Sequence, residues 1–233
     1  MSAPVAVVTG GSGGIGKACA AVLVDRGYDV VLTARGADRL AKAAEQLGAR
    51  YVAADCTRTD EVERVMDEAG QPTVVVHASG ILAGTFVSDQ SAEEFDQVLE
   101  ANLRSAYVVT KAALSRMTAG SRLIYISSTA GRKGMKGLTA YSASKAGLGA
   151  LAQSVAAEVE RDGINVHLVT PAPVRTDMID PESGLEMWLL EPEDVASAVG
   201  WLDSLHPRVV VREIILRAAT KGPFAPDSVG LRR

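Results

Sequence analysis

Short β-branched runs alternate along the chain with longer segments whose apolar residues recur at helical spacing, the pattern of βα repeats with a parallel sheet covered on both faces. The runs predict seven strands, near Val5–Thr9, Asp29–Ala34, Arg50–Ala53, Thr73–Ala78, Arg122–Ser127, Ile164–Thr170 and Arg208–Arg217. Six helices are expected between them, over Ile15–Asp25, Asp38–Leu47, Asp60–Glu68, Ala92–Met117, Ala140–Arg161 and Pro192–Ser204. The first carries Ile15, Cys19, Val22 and Leu23 at helical spacing, with Gly27 following as a stop; Gly48 closes the second in the same way. Pro192 falls in a first turn, where its missing N–H costs nothing. Residues 174–190 carry no assignable element, and a stretch of that length predicts a functional lid or a partly helical segment. The expected fold class is α/β, a doubly wound parallel seven-stranded sheet with helices on both faces, in a single domain spanning residues 1–233.

Composition narrows the function classes. At 233 residues, 47% of them hydrophobic, the chain can bury a substantial core. A net charge of −4 advertises no basic patch for phosphate backbones, so no nucleic-acid partner is expected. No apolar run approaches the roughly 20 residues of a membrane-spanning helix, and Val5 to Thr9 follows the start of the chain without a charged-then-apolar leader. A soluble, cytoplasmic protein without a membrane partner is the expectation. Cys19 and Cys56 have neither metal-ligand spacing nor a disulfide framework; they read as small packed thiols, and no metal site is expected.

The first candidate site is the turn Thr9-Gly10-Gly11-Ser12-Gly13-Gly14-Ile15-Gly16, between the first strand and the first helix. There a backbone must turn sharply, and the free N–H groups of a helix N-terminus favour a pyrophosphate. Two glycine registers fit the spacing: Gly11, Gly13 and Gly16, or Gly10, Gly14 and Gly16. A site for NAD(H) usually has a carboxylate at the end of the second strand. Here that strand ends Leu32-Thr33-Ala34-Arg35, with Asp29 at the wrong end, so Arg35 favours the 2′-phosphate of NADP(H) while leaving NAD(H) possible. The bland alternative is that Arg35 is a solvated loop cation.

The second candidate site is Tyr141-Ser142-Ala143-Ser144-Lys145, whose i,i+4 spacing puts a phenol and an ammonium on one helical face. A cation beside a phenol favours the phenolate and draws its pKa toward the range useful for proton transfer. Ser128 lies thirteen residues upstream at the end of a strand, the edge where open α/β sheets hold ligands. In their usual order, Thr9–Gly16, Asn102, Ile126-Ser127-Ser128, Tyr141-x-x-x-Lys145 and Pro171–Thr176 resemble the short-chain dehydrogenase/reductase family, over about residues 5–217.

The resemblance implies a Rossmann-like oxidoreductase acting on a small-molecule carbonyl or secondary alcohol. Tyr141 would donate a proton to the carbonyl oxygen and Ser128 would polarise it. Lys145 would hold the nicotinamide ribose and depress the Tyr141 pKa, and Asn102 would maintain a proton-relay water. Gly10, Ser12, Gly13, Gly14, Ile15, Gly16, Arg35, Asp55, Cys56, Ala78, Ser79, Gly80, Tyr141, Lys145, Pro171, Ala172, Val174 and Thr176 would contact the cofactor, Asp55 at the adenine. A homodimer or homotetramer is implied as well. Ser127 is one residue too far from Tyr141 for the family spacing. Two departures stand out: His77-Ala78-Ser79-Gly80 replaces the family's Asn-Asn-Ala-Gly, and Ala172 replaces a glycine. His77 reads as a structural residue, and the methyl of Ala172 is tolerable unless the backbone needs a positive φ. A non-enzymatic dinucleotide sensor, or an isomerase or lyase using the same side chains, are the alternatives. Residues 81–86, 132–138 and 178–190 are candidate substrate walls, with Met135, Met178, Met187 and Trp188 as adaptable apolar surface and Lys133 and Lys136 as attractors of a carboxylate.

Overall fold

The computed structural model describes residues 3–178 and 189–219. Its strands are β1 (Val5–Thr9), β2 (Asp29–Ala34), β3 (Arg50–Ala53), β4 (Pro72–His77), β5 (Arg122–Ile126), β6 (Asn165–Pro171) and β7 (Glu213–Leu216). All are parallel, in the order β3-β2-β1-β4-β5-β6-β7. The central strands are buried on both faces, which is why β1, β4 and β5 read as near-continuous apolar runs rather than alternating ones.

The helices are α1 (Gly14–Asp25), α2 (Ala37–Leu47), α3 (Thr59–Ala69), α4 (Ala92–Leu99), α5 (Ser105–Leu114), α6 (Thr139–Glu158) and α7 (Pro192–Ser204). Side-chain alternation divides the core into two layers. Val7, Val31, Val75, Leu123 and Tyr125 face α3, α5 and α6, whereas Val8, Leu32, Val76 and Ile124 face α1, α2 and α7. The α1–α7 contact is close because Gly200 brings its backbone against Val22. At α4 a capping box sets the start: the Ser91 hydroxyl accepts from the Glu94 N–H and the Glu94 carboxylate accepts from the Ser91 N–H.

Most expected elements stand within one or two residues of their places, and three differ. The helix expected over Ala92–Met117 is divided by a π-helical turn at Glu100–Arg104. The helix expected to Arg161 ends at Glu158, and a 3₁₀ turn to Asp162 closes on Gly163 in the left-handed region. The strand expected over Arg208–Arg217 contracts to Glu213–Leu216, because side chains claim the carbonyls before it. Asn165 donates to the Pro207 oxygen, and His167 Nδ1 to that of Val211. Within residues 174–190, Val174 pairs with Leu190 in an isolated parallel bridge, and Arg175 is ion-paired with Glu191 at 2.9 Å. The middle of that stretch, with Met187 and Trp188, lies outside the described residues, and so does the lid expected there. Among the described residues no helix is long and apolar enough to cross a membrane.

The turn from β1 into α1 is set by sterics. Gly10 has φ +68°, and a Cβ there would meet the Ala78 carbonyl group at 2.9 Å. A Cβ at Gly16 would overlap the Gly10 carbonyl oxygen, whereas one at Gly13 would meet nothing nearer than 3.5 Å. Of the two registers open in the sequence, the one containing Gly10 and Gly16 therefore carries the backbone constraint. Gly16→Ala should destabilise the fold by at least about 2 kcal/mol, since backbone rather than a flexible side chain must yield. Gly13→Ser, at an N-cap that favours serine, should leave stability within about 0.5 kcal/mol or raise it. Urea unfolding of the two variants checks this; equal losses would contradict the steric assignment.

Candidate active site

Because the winding direction reverses between β1 and β4, their carboxyl ends diverge and leave a groove, the switch point where open α/β sheets bind ligands. The groove has a volume of about 530 Å³. Gly10, Ser12, Gly13, Gly14, Ile15 and Gly16 line one side. Here Gly13 is the N-cap of α1 and brings no capping side chain, and the first turn holds no acidic residue, so the helix N–H groups and positive dipole end face the groove without compensation.

At the far end, Arg35, Asp55 and Cys56 all line the groove, together with Arg39, which the sequence reading missed. Arg39 lies four residues after Arg35 on the opening turn of α2, a spacing that would have pointed to it. Burial raises the Asp55 carboxyl, but hydrogen bonds from the Thr57 N–H and hydroxyl, with Arg35 and Arg58 nearby, bring it below its usual value. The Cys56 thiol is pushed up to about 11 by burial and accepts a long contact from the Ser79 hydroxyl at 3.8 Å. It is a packed thiol rather than a nucleophile.

Ala78, Ser79, Gly80 and Ile81 form the wall after β4. Gly80 joins this wall to the second candidate site: a Cβ there would stand 2.9 Å from Asn102 Oδ1 and 3.7 Å from Lys145 Nζ. Thr176 borders the groove against Gly14, but Pro171, Ala172 and Val174 do not line it. Val174 is buried in the α1/α7 layer. Asp177 and Met178 line the groove beside Thr176.

Tyr141 and Lys145 lie on the first turns of α6, packed against the end of β5. Lys145 is fully desolvated, which lowers its pKa to about 8, and its ammonium donates to the Ile126 carbonyl at 3.0 Å. It sits 5.8 Å above the centre of the Tyr141 ring. Burial pushes the Tyr141 phenol above its usual value, and the group working against burial is the neighbouring Ser128 hydroxyl. The expected depression of the phenol by Lys145 is therefore not what the geometry shows, since that ammonium faces a backbone carbonyl. Ser128 caps the 3₁₀ turn Thr129–Gly131 by accepting from the Ala130 N–H at 3.2 Å. Ser127 points the other way, its hydroxyl 3.4 Å from the Lys145 carbonyl within the core.

Asn102 is fully buried in the π-turn. Its Oδ1 accepts from the Ile81 N–H at 2.7 Å, and its Nδ2 donates to the Ile81 carbonyl and the Ser144 hydroxyl, both at 3.0 Å. All of its polar atoms are engaged with protein, so it anchors the Gly80–Ile81 wall. Of the expected substrate walls, residues 81–86 and 132–138 meet through the Thr85–Leu138 bridge and the Thr85 N–H to Gly137 carbonyl bond. Lys136 stands over the Phe86 ring at 5.5 Å. No cluster of metal-ligating side chains occurs among the described residues.

Residues 4–184 match the short chain dehydrogenase family. The chain belongs to the short-chain dehydrogenase/reductase family of oxidoreductases. An uncharacterized oxidoreductase of Staphylococcus aureus is 32% identical over 222 residues, covering 91% of this chain and 96% of its own. A dehydrogenase/reductase from Sinorhizobium meliloti superposes with a TM-score of 0.84 at 30% identity, over 93% of this chain and 94% of that one. An alcohol dehydrogenase from Thermococcus sibiricus, complexed with 5-hydroxy-NADP, gives 0.83 at 29%, over 94% and 98%.

As a short-chain dehydrogenase/reductase, the protein accommodates both departures without strain. No non-glycine residue among those described has a positive φ, so Ala172 is in an ordinary conformation. His77 is fully buried between Thr9 and Ser105, and burial with the nearby Lys145 charge lowers its pKa to about 3. The unfolded chain binds that proton from its ordinary 6.5 downward, so the folded state carries fewer protons as pH falls below that value and stability is lost. The slope contributed is up to about 1.4 kcal/mol per pH unit. Urea unfolding between pH 7 and pH 4 should therefore show a steeper acid decline in the wild type than in His77→Gln; identical slopes would mean that the ring protonates in place.

Proposed function

We propose that this protein is an NADP(H)-dependent oxidoreductase that interconverts a carbonyl compound and the corresponding secondary alcohol. The observation that carries the reading is the shared Ser79–Gly80–Ile81 wall, which borders the nucleotide groove and abuts Lys145 and Asn102 on its other side. The residues present fit the cofactor. The uncapped α1 terminus suits a pyrophosphate, Lys145 stands behind the Gly80 wall where it would hold a ribose, and Arg35 and Arg39 outnumber Asp55 at the outer end. Two cations there favour NADP(H) over NAD(H), and the archaeal relative in complex with an NADP analogue supports the same class. Pro171, Ala172, Val174 and Thr176 would contribute backbone and hydroxyl contacts at the nicotinamide end.

When bound, the nicotinamide supplies or accepts the hydride. Tyr141 gives its proton to the carbonyl oxygen; burial keeps the phenol protonated at neutral pH, the state an acid needs. The Ser128 hydroxyl, beside the phenol, hydrogen-bonds the same oxygen and stabilises the negative charge that develops on it. Burial lowers the Lys145 pKa to about 8, so the ammonium beside the phenol gives up its proton more readily than an exposed lysine does. In the same reading the protein works in the cytoplasm as a homodimer or homotetramer.

The test is loss of nicotinamide absorbance when the protein and NADPH meet a panel of ketones and aldehydes. Tyr141→Phe should lower kcat by at least about 100-fold with NADPH binding retained, because a positioned proton donor contributes on that order; activity within threefold of wild type would sink the assignment. Ser128→Ala should lose at least about tenfold more than Ser127→Ala, whose hydroxyl points into the core. Arg35→Ala and Arg39→Ala should each weaken NADPH by about fivefold, a charge-assisted contact discounted for exposure, and leave NADH unchanged. A wild type that prefers NADH would overturn the cofactor choice.

A further inference from the structure

Glu100–Arg104 is the one π-helical turn among the described residues, and it carries Asn102. In an α-helix the Ser105 N–H would bond the Ala101 carbonyl; here it bonds that of Glu100, one residue further back. It is the Ser105 hydroxyl, not its N–H, that donates to the Ala101 oxygen, at 2.6 Å. With its proton spent there, the hydroxyl can only accept from His77 Nε2, 3.4 Å away. At the other ring nitrogen the direction is fixed in the same manner. Thr9 Oγ1 accepts from the Ala78 and Ser79 N–H groups, both at 3.2 Å, and so donates to His77 Nδ1 at 3.1 Å. Both partners demand the same neutral tautomer, with the proton on Nε2.

We propose that His77 is a positioning residue: its Nε2–H orients the Ser105 hydroxyl that caps Ala101, and thereby holds the π register that aims the Asn102 carboxamide at Ile81. A slip to the α register would turn Asn102 by about 100° around the helix axis, away from the Gly80–Ile81 wall. Ala101 and Ser105 themselves line the groove, so the strut lies directly beneath it. The ring is fully buried, so it acts as a neutral connector and not as an acid or base. Its kinetic consequence rests on the oxidoreductase reading; its geometry does not.

Two measurements test it. In carbonyl reduction, Ser105→Ala should lower kcat about tenfold with the NADPH KM changed less than about twofold, the split expected when reacting groups shift and cofactor contacts stay. His77→Asn, whose shorter amide reaches Thr9 but not Ser105, should lose as much, and His77→Gln, whose amide N–H reaches Ser105, should recover most of the loss. Equal losses in the two His77 variants, or an unchanged kcat in Ser105→Ala, would overturn the proposal. Nitrogen-15 NMR of the unsubstituted protein reads the tautomer independently of turnover. A proton on Nε2 is expected, and one on Nδ1 overturns the strut whatever the kinetics. An Nε2–H ring in a protein that oxidises no NADPH would instead refute the oxidoreductase reading and leave the strut in place.

Discussion

The ends of β1 and β4 must separate to open the groove, yet remain bound firmly enough to close the sheet beneath it, and one hydroxyl meets both demands. Thr9 Oγ1 accepts from two consecutive backbone amides, those of Ala78 and Ser79, at the point where the β4 chain turns away from the ladder. Those amides are partly buried beside a strand that no longer pairs with them, and the Thr9 hydroxyl supplies the acceptor that the ladder no longer gives. The same hydroxyl orients His77, and the crowding of Gly10 against Ala78 is the steric side of the same junction. In the sheet register, Thr33, Thr9, His77 and Tyr125 form one row across adjacent strands. The layer directly below the groove is thus polar and directional, while the layers beneath it are apolar. Thr33 Oγ1 has no partner in this row, a cost carried where every neighbour is engaged.

The groove joins two electrostatic environments of opposite kind. Its outer portion is wet and cationic, made by exposed Arg35 and Arg39 and by a helix terminus whose dipole is left uncompensated. Behind its Gly80 wall the surroundings are dry, and desolvation acts on Tyr141 and Lys145 in the same sense: it raises the phenol and lowers the ammonium, so both are pressed toward their neutral forms. The pair is not a preformed phenolate–ammonium couple. A negatively charged ligand would meet the cationic portion first, whereas a polar group beside Tyr141 would meet a protonated phenol in a medium where each hydrogen bond counts for more than in water.

Much of this was legible in the chain because a parallel sheet imposes continuous apolar strands and helical spacing imposes faces. Seven strands, the glycine turn, Ser128, Tyr141 and Lys145 could be located from periodicity and from motifs in family order. The π-turn could not, since Glu100–Arg104 continues the apolar spacing of the helices on either side, and one extra residue per turn shows only when the hydrogen bonds are seen. Arg208–Val211 reads as strand because valine favours it, but His167 claims the Val211 carbonyl and Asn165 that of Pro207 just before it. The direction of the Asn102 carboxamide, and the commitment of the Lys145 ammonium to Ile126, depend on loops distant in sequence, which no local pattern encodes.

The replacement of the family asparagine by His77 shows how one geometry can be held by different atoms. A carboxamide brings its donor and acceptor to a single point close to the strand. An imidazole places them at opposite edges of a rigid ring, so it can accept from Thr9 on β1 and donate toward Ser105 on α5 at the same time. It also fills more volume, packing edge-on against Tyr125 with ring centres 6.4 Å apart. Tyr125 in turn shares its hydroxyl with Thr110 at 2.6 Å, one helical turn and a half beyond Ser105 on α5. Strand β1, strand β4, strand β5 and α5 are therefore tied through one ring that carries no charge. That is a constraint on the ring as much as a use of it: a protonated His77 would have to surrender the Thr9 bond and face the Lys145 ammonium in a dry site, so the junction is stable only while the imidazole stays neutral.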